Sequence, residues 1–178
     1  DKALAQMQKA VKLGAEALKR ADTVIITFGS AIIYRYNDNR QVVANCHKQP
    51  QRLFTRELLD AEAISQRYLK LCLNSLADKR VIFTVSPIRH LRDGLEINSL
   101  SKATLRVAID KIAEHADNVT YYPAFKIMMD ELRDYRFYAD DMIHPTPLAV
   151  NYIWERFADA AFSDDTAQLI SRIEQIAT

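Results

Sequence analysis

Thr23-Val24-Ile25-Ile26-Thr27-Phe28-Gly29-Ser30 decides how this chain folds. A continuous run of six residues, all β-branched but Phe28 and closed by a glycine, reads as a strand buried on both sides. Arg80-Val81-Ile82-Phe83-Thr84-Val85, stopped by Ser86-Pro87, repeats the pattern, and Asn118 to Tyr122 is a third, shorter strand. Helical periodicity fills the intervals. It covers Lys2 to Arg20, with Leu4, Met7, Val11, Leu13, Ala17 and Leu18 near one stripe, then about Asp60 to Leu76, and about Asn98 to His115. A short helical piece from Ala124 to Leu132, a long irregular loop, and helices from Pro147 to Phe162 and Asp165 to Ile176 complete the chain. Ile32–Tyr36 and Gln41–Val43 flank Asn37-Asp38-Asn39, which has the chemistry of a hairpin tip. Strands alternating with helices predict an α/β fold with a mainly parallel sheet.

At 178 residues the chain fits one domain with a proper core, and no linker, repeat or low-complexity tract divides it. Hydrophobic residues at 49% and charged residues at 26% are those of an ordinary globular protein. A net charge of +1 gives bulk electrostatics no hold on nucleic acid or a membrane surface. No apolar run reaches the roughly 18 residues of a membrane span, and no signal-peptide pattern opens the chain. Cys46, in a polar loop, and Cys72, on the apolar face of a helix, read as free thiols. That favours a reducing, cytoplasmic setting. Asp1-Lys2-Ala3-Leu4 already reads as helix interior, so the expectation is a partial domain over residues 1–178 that begins inside a longer one.

In parallel sheets the site lies beyond the carboxyl ends of the strands, here Gly29-Ser30, Ser86-Pro87 and the loop after Tyr122. Asp141 precedes His144 by three residues, just ahead of a helix. In that pattern the carboxylate can orient the imidazole, which then serves as general base to a nucleophile from elsewhere. Ser30 is a nucleophile candidate by spacing, against the plainer role of satisfying backbone groups at a strand end. Ser86 is a weaker one, since Pro87 marks a turn. The amide of Asn45, with a backbone N–H such as that of Gly29, can form an oxyanion hole, and donors of this kind are worth roughly 3–4 kcal/mol. The alternative is that Asn45 closes the turn after the hairpin. Arg89, His90 and Arg92 offer a substrate anion a basic group, or form a solvated loop. Asp130 to Tyr138 alternates charges with aromatics and is expected to pin the loop carrying Asp141 and His144. Trp154 and Phe157 read as core. Cys46-His47 raises a metal reading that the scattered remaining histidines do not support, so no metal and no cofactor are expected.

Val43-Ala44-Asn45-Cys46-His47-Lys48-Gln49-Pro50 and Phe83-Thr84-Val85-Ser86-Pro87-Ile88-Arg89-His90-Leu91-Arg92-Asp93-Gly94 resemble the GSCFA domain family. So do Met128 through Tyr138 and Asp141-Met142-Ile143-His144-Pro145, and the resemblance runs from about Ala21 to Phe162. That family is similar to the SGNH (GDSL-like) hydrolases, which implies a three-layer α/β/α sandwich and ester or acyl cleavage without metal or nucleotide. On that resemblance Asp141 and His144 match an Asp-x-x-His pair. The Gly-Ser-Cys-Phe-Ala string that names the family, and would carry its serine on the first strand, is absent from these residues. The comparison therefore places the nucleophile upstream and demotes Ser30, which matches a different family position. Where SGNH enzymes have an oxyanion-hole asparagine after Gly29, this chain has Ala31, leaving Asn45 as the substitute donor.

The expectation is an SGNH-like serine esterase or deacetylase acting on a small-molecule or carbohydrate ester. His144 is its base, Asp141 the orienting acid, Gly29 and Asn45 the oxyanion hole, and Arg89 and His90 line the substrate. The alternative is a non-catalytic module binding carbohydrate or protein in the same cleft. Neither needs nucleic acid or a membrane. A partial domain is also expected to expose an apolar strand edge or helix face and to associate with another copy.

Overall fold

The computed structural model describes residues 2–46 and 48–177. In chain order its elements are α1 (Lys2–Arg20), β1 (Thr23–Phe28), β2 (Ile32–Tyr36), β3 (Val42–Val43), β4 (Phe54–Leu58) and α2 (Ala61–Leu73). They continue with β5 (Arg80–Val85), α3 (Gly94–Ala113), β6 (Val119–Tyr122), α4 (Ala124–Lys126), α5 (Pro147–Ala161) and α6 (Asp164–Ala177). The chain is a three-layer α/β/α sandwich around a parallel sheet of order β1-β5-β6, in register Val24↔Val81 and Val81↔Val119.

Side chains of β5 alternate between two cores. Val81, Phe83 and Val85 join Phe28, Ile64, Cys72, Leu105, Ile109 and Ile112 beneath α2 and α3. Ile82 joins Tyr122, Met128, Tyr138 and Phe157 on the opposite face, under α5 and the turn that follows β6. The central strand thus has the double burial that its composition predicts. β1 does not. It is an edge strand whose Thr23, Ile25 and Thr27 are exposed, Ile25 by 53%. Beside them lies a groove of about 310 Å³ lined by Ile25, Thr27, Ile82, Thr84, Val150 and Trp154, among others. Thr84 Oγ1, buried on this side, has no hydrogen-bond partner among the described residues. Trp154, expected in the core, is 48% exposed at the rim of the groove and packs edgewise on Phe162. The apolar stripe of α1 likewise buries none of its residues, although Lys79 closes the helix end by donating to the carbonyls of Lys19 and Ala21. An exposed strand edge bearing Ile25 and an exposed apolar helix face are therefore present.

The hairpin forms as its turn residues predict, with Tyr34 opposite Val43. A third strand, which no alternation in the sequence signals, joins it. β4 pairs antiparallel with β2, Ile32 opposite Leu58 and Tyr36 opposite Phe54, giving a second sheet of order β3-β2-β4. An ion pair from Arg35 to Glu57 crosses this ladder. α3 begins at Gly94, a turn earlier than its periodicity suggests, and Ala124–Leu132 is only briefly α-helical before a π-helical turn over Ile127–Glu131.

Candidate active site

Asp141 and His144 sit on a loop closed at its base by a bridge between Tyr138 and Pro145. Ala139 N–H donates to His144 O at 2.8 Å, and Met142 takes a left-handed φ of 57° at the tip. Asp141 Oδ1 accepts the N–H groups of Ile143 (2.8 Å) and His144 (3.0 Å), while Oδ2 lies 2.6 Å from His144 Nδ1. Those donors, the His144 amide first, hold the Asp141 carboxyl down at about 2. At neutral pH it is ionised and can only accept, so the short contact requires a proton on Nδ1 and leaves Nε2 as the acceptor of the neutral ring. Thr146 then caps α5, accepting from Ala149 N–H, with Pro147 in the first turn. The pair is local, partly exposed and oriented.

Two further strand ends meet at one side chain. Lys102 of α3 is 1% exposed, and its Nζ donates to Gly29 O and Ser86 O, each at 2.7 Å. Burial lowers its pKa to about 8. On the same face of α3, Asn98 Oδ1 accepts His90 N–H at 2.9 Å, and Ser101 Oγ accepts Ala31 N–H at 2.7 Å. Asn98, Ser101 and Lys102 continue the stripe that Leu105, Ala108, Ile109 and Ile112 form farther along the helix. The first part of this stripe is a polar clamp on the loops after β1 and β5. Sequence reasoning missed it, although a lysine in phase with a helix's apolar residues is the signal that would have found it.

Ser30 belongs to the clamp. Its Oγ lies 3.2 Å from Ser101 Oγ and accepts Ile32 N–H at 3.0 Å, which is the backbone-satisfying role. Among the described residues no hydroxyl is hydrogen-bonded to His144. Gly29 ends β1 as expected; a Cβ there would lie 3.6 Å from His90 Nε2. Ser30, Arg89 and His90 share a recess of about 400 Å³ with Tyr34, Ala44, Arg56, Arg92 and Asp93. Asn45, next in sequence to Ala44, is exposed and is not among the residues that line the recess. Burial, with the Lys102 cation behind it, lowers the His90 pKa. Arg89 joins the recess to the dyad: its guanidinium lies 3.9 Å from the Tyr138 ring centre, Nη1 donates to Met142 O, and the Arg89 backbone N–H donates to Ile143 O.

The run before the dyad is held as its charges and rings suggest. Leu132 and Tyr138 are buried, Arg136 pairs with Asp134 at 3.3 Å, and Glu131 accepts from Tyr152 OH. Cys46 and Cys72 are free thiols, and burial raises the pKa of Cys72. His47, half of the metal reading set aside above, lies outside the described residues. Among the described residues no helix is long and apolar enough to cross a membrane.

The family model described as GSCFA family matches residues 1–157. The match reaches back through α1, farther than the quoted strings do, and ends within α5. No curated protein and no solved structure matches the chain.

Proposed function

The chain belongs to the GSCFA family, and on that premise we propose that it carries the acid–base part of an SGNH-like serine hydrolase site. The bond cleaved is an ester or acetyl linkage on a small molecule or carbohydrate. One observation carries the reading: Asp141 Oδ2 at 2.6 Å from His144 Nδ1, with the carboxylate fixed by two backbone N–H groups.

In the proposed cycle Nε2 of His144 takes the proton of a serine hydroxyl as the oxygen attacks the acyl carbon. Asp141 stays ionised and holds the resulting imidazolium in place. The developing alkoxide is met by backbone N–H groups at the end of β1, with the Asn45 amide as second donor. Because Lys102 holds Gly29 O, the trans peptide to Ser30 directs the Ser30 N–H away from Lys102, adding it to the candidate donors. His144 then gives its proton to the leaving group, and water, activated the same way, releases the acid. The proposal takes the attacking serine from protein outside residues 1–178, and the bonding of Ser30 to Ser101 and Ile32 supports that choice. No cofactor enters, and cytoplasmic residence and pairing with a second copy complete the proposal.

The test is the full-length protein against short-chain aryl esters and a fluorophosphonate probe. Turnover and labelling are expected, with His144→Ala abolishing turnover. The absence of both turnover and labelling would sink the reading. That no hydroxyl among the described residues is bonded to His144 favours one rival, a binding module on the same cleft, for which His144→Ala leaves ligand binding intact and no ester is ever turned over.

A further inference from the structure

Three arginines and a histidine face the recess between the β2–β4 sheet and the loop after β5. Against them stands one carboxylate, and it is taken. Arg56 engages both oxygens of Asp93 through Nη1 and Nη2, which raises the pKa of Arg56 and lowers that of Asp93. Arg92 and Arg89 are held by neutral groups instead. Arg92 Nη1 donates to Tyr34 OH at 2.6 Å, with the guanidinium 5.8 Å from that ring. Arg89 lies on Tyr138 and donates one N–H to Met142 O. Among the described residues neither is within 4.0 Å of a carboxylate, although Arg92 is near enough to Asp93 to help lower its pKa. Each guanidinium has five N–H donors in a planar fork, so both keep donors to offer.

Aromatic and backbone partners do more than occupy these side chains. A guanidinium fixed by a ring and one hydrogen bond has lost most of its rotamer freedom before a ligand arrives, which lowers the cost of binding. Lys102 lies behind His90 and adds a further positive charge to the recess. The space, about 400 Å³, admits a ligand of several heavy atoms rather than an ion alone.

We propose that this recess is an oxyanion subsite in which Arg89 and Arg92 hold a carboxylate, sulfate or phosphate borne by the substrate. Arg56 and Asp93 form its fixed, neutralised wall. Calling the anion part of a substrate rests on the hydrolase reading; the binding itself rests on the recess alone. Arg89 reaches the loop of Asp141 and His144, so an anchored anion places the rest of its molecule beside the dyad.

The test has a binding arm and a turnover arm. Sodium sulfate, phosphate and succinate are titrated calorimetrically into the protein at constant ionic strength set by chloride. At least one is expected to bind one-to-one, and Arg92→Gln to weaken it by about tenfold, since a hydrogen bond to a charged group has that value. Tyr34→Phe, which removes only the hydroxyl under Arg92, is expected to weaken it less. In the second arm the full-length protein is given 4-nitrophenyl acetate and mono-4-nitrophenyl succinate. A preference for the anionic ester that Arg92→Gln removes supports the proposal. If no anion binds beyond the chloride control, or Arg92→Gln binds as wild type does, the subsite is overturned even where esters are hydrolysed. If an anion binds through Arg92 but no ester is turned over and the fluorophosphonate probe leaves the protein unlabelled, the subsite stands and the hydrolase reading fails.

Discussion

The guanidinium of Arg89 lies over the ring of Tyr138, 3.9 Å from its centre, and this contact joins the loop after the central strand to the loop bearing the candidate dyad. Tyr138 is buried at the base of its loop and Arg89 donates to Met142 O at the tip, so one side chain spans the loop's height. The orientation of His144 thus depends on two sequence segments about fifty residues apart.

Arg89→Ala is therefore expected to loosen the dyad loop while leaving the fold intact. A partly exposed cation–π contact is worth about 1 kcal/mol. Hydrogen exchange at the Ile143 and His144 amides, both donors to Asp141, should accelerate several-fold, with the β5 amides unchanged. Unchanged exchange at those two amides would show that the Asp141 turn holds itself.

Asp141 gives the loop a pH dependence of definite sign. Its folded pKa, about 2, lies below the ordinary 3.8, so the unfolded chain binds the proton more readily. The stabilisation is complete above about pH 4 and fades as pH falls through about 2. Thermal melts from pH 5 to 2 should show a smaller loss for Asp141→Asn than for the wild type. If the proposed hydrolase reading holds and the carboxylate orients the His144 imidazole as base, the same variant of the full-length protein loses about 10⁴ in kcat.

Lys102 has a slope of the same sign at the other end of the pH scale. Burial brings its folded pKa to about 8 from 10.5, so between these values the unfolded chain holds the proton and the folded one releases it. Stability from this group rises as pH goes from about 8 to 10.5 and is lowest below that window. Lys102→Met removes this slope and strips Gly29 O and Ser86 O of their donor, a net cost on the order of 2 kcal/mol at neutral pH. Urea melts of both proteins at pH 7 and pH 10 check it: a variant as stable as wild type at pH 7 would remove the clamp from the argument.

What could be read from the sequence divides along the range of the interactions involved. The Asp141–His144 pair was legible because its own hydrogen bonds span only three residues, although Arg89 braces its loop from about fifty residues away. The central strand was legible because both its faces are apolar and both are covered. β1 has much the same composition, yet its exposure is decided by which neighbours it has, and a β-branched run does not encode that. β4 was missed for the converse reason. Phe54-Thr55-Arg56-Glu57-Leu58 is weak strand sequence, and it is held by pairing to β2 and by Arg35 reaching Glu57, twenty-two residues away. The clamp on α3 lay between these cases, since its spacing is local but its partners are the ends of two strands.

The uncovered side of β1 gives the last expectation. Ile25 and Thr27 face outward on an edge strand, the groove beside them is almost wholly apolar, and Thr84 Oγ1 beneath it lacks a partner among the described residues. An edge with unpaired backbone groups and an apolar flank is a template for another strand or another copy. Light scattering on the 178-residue chain should show mass rising with concentration, and Ile25→Lys, a charge placed on the exposed face of β1, should restore a monomer without lowering Tm by more than a few degrees. A wild-type chain that stays monomeric across the concentration series would mean that α1 or solvent is cover enough for this edge.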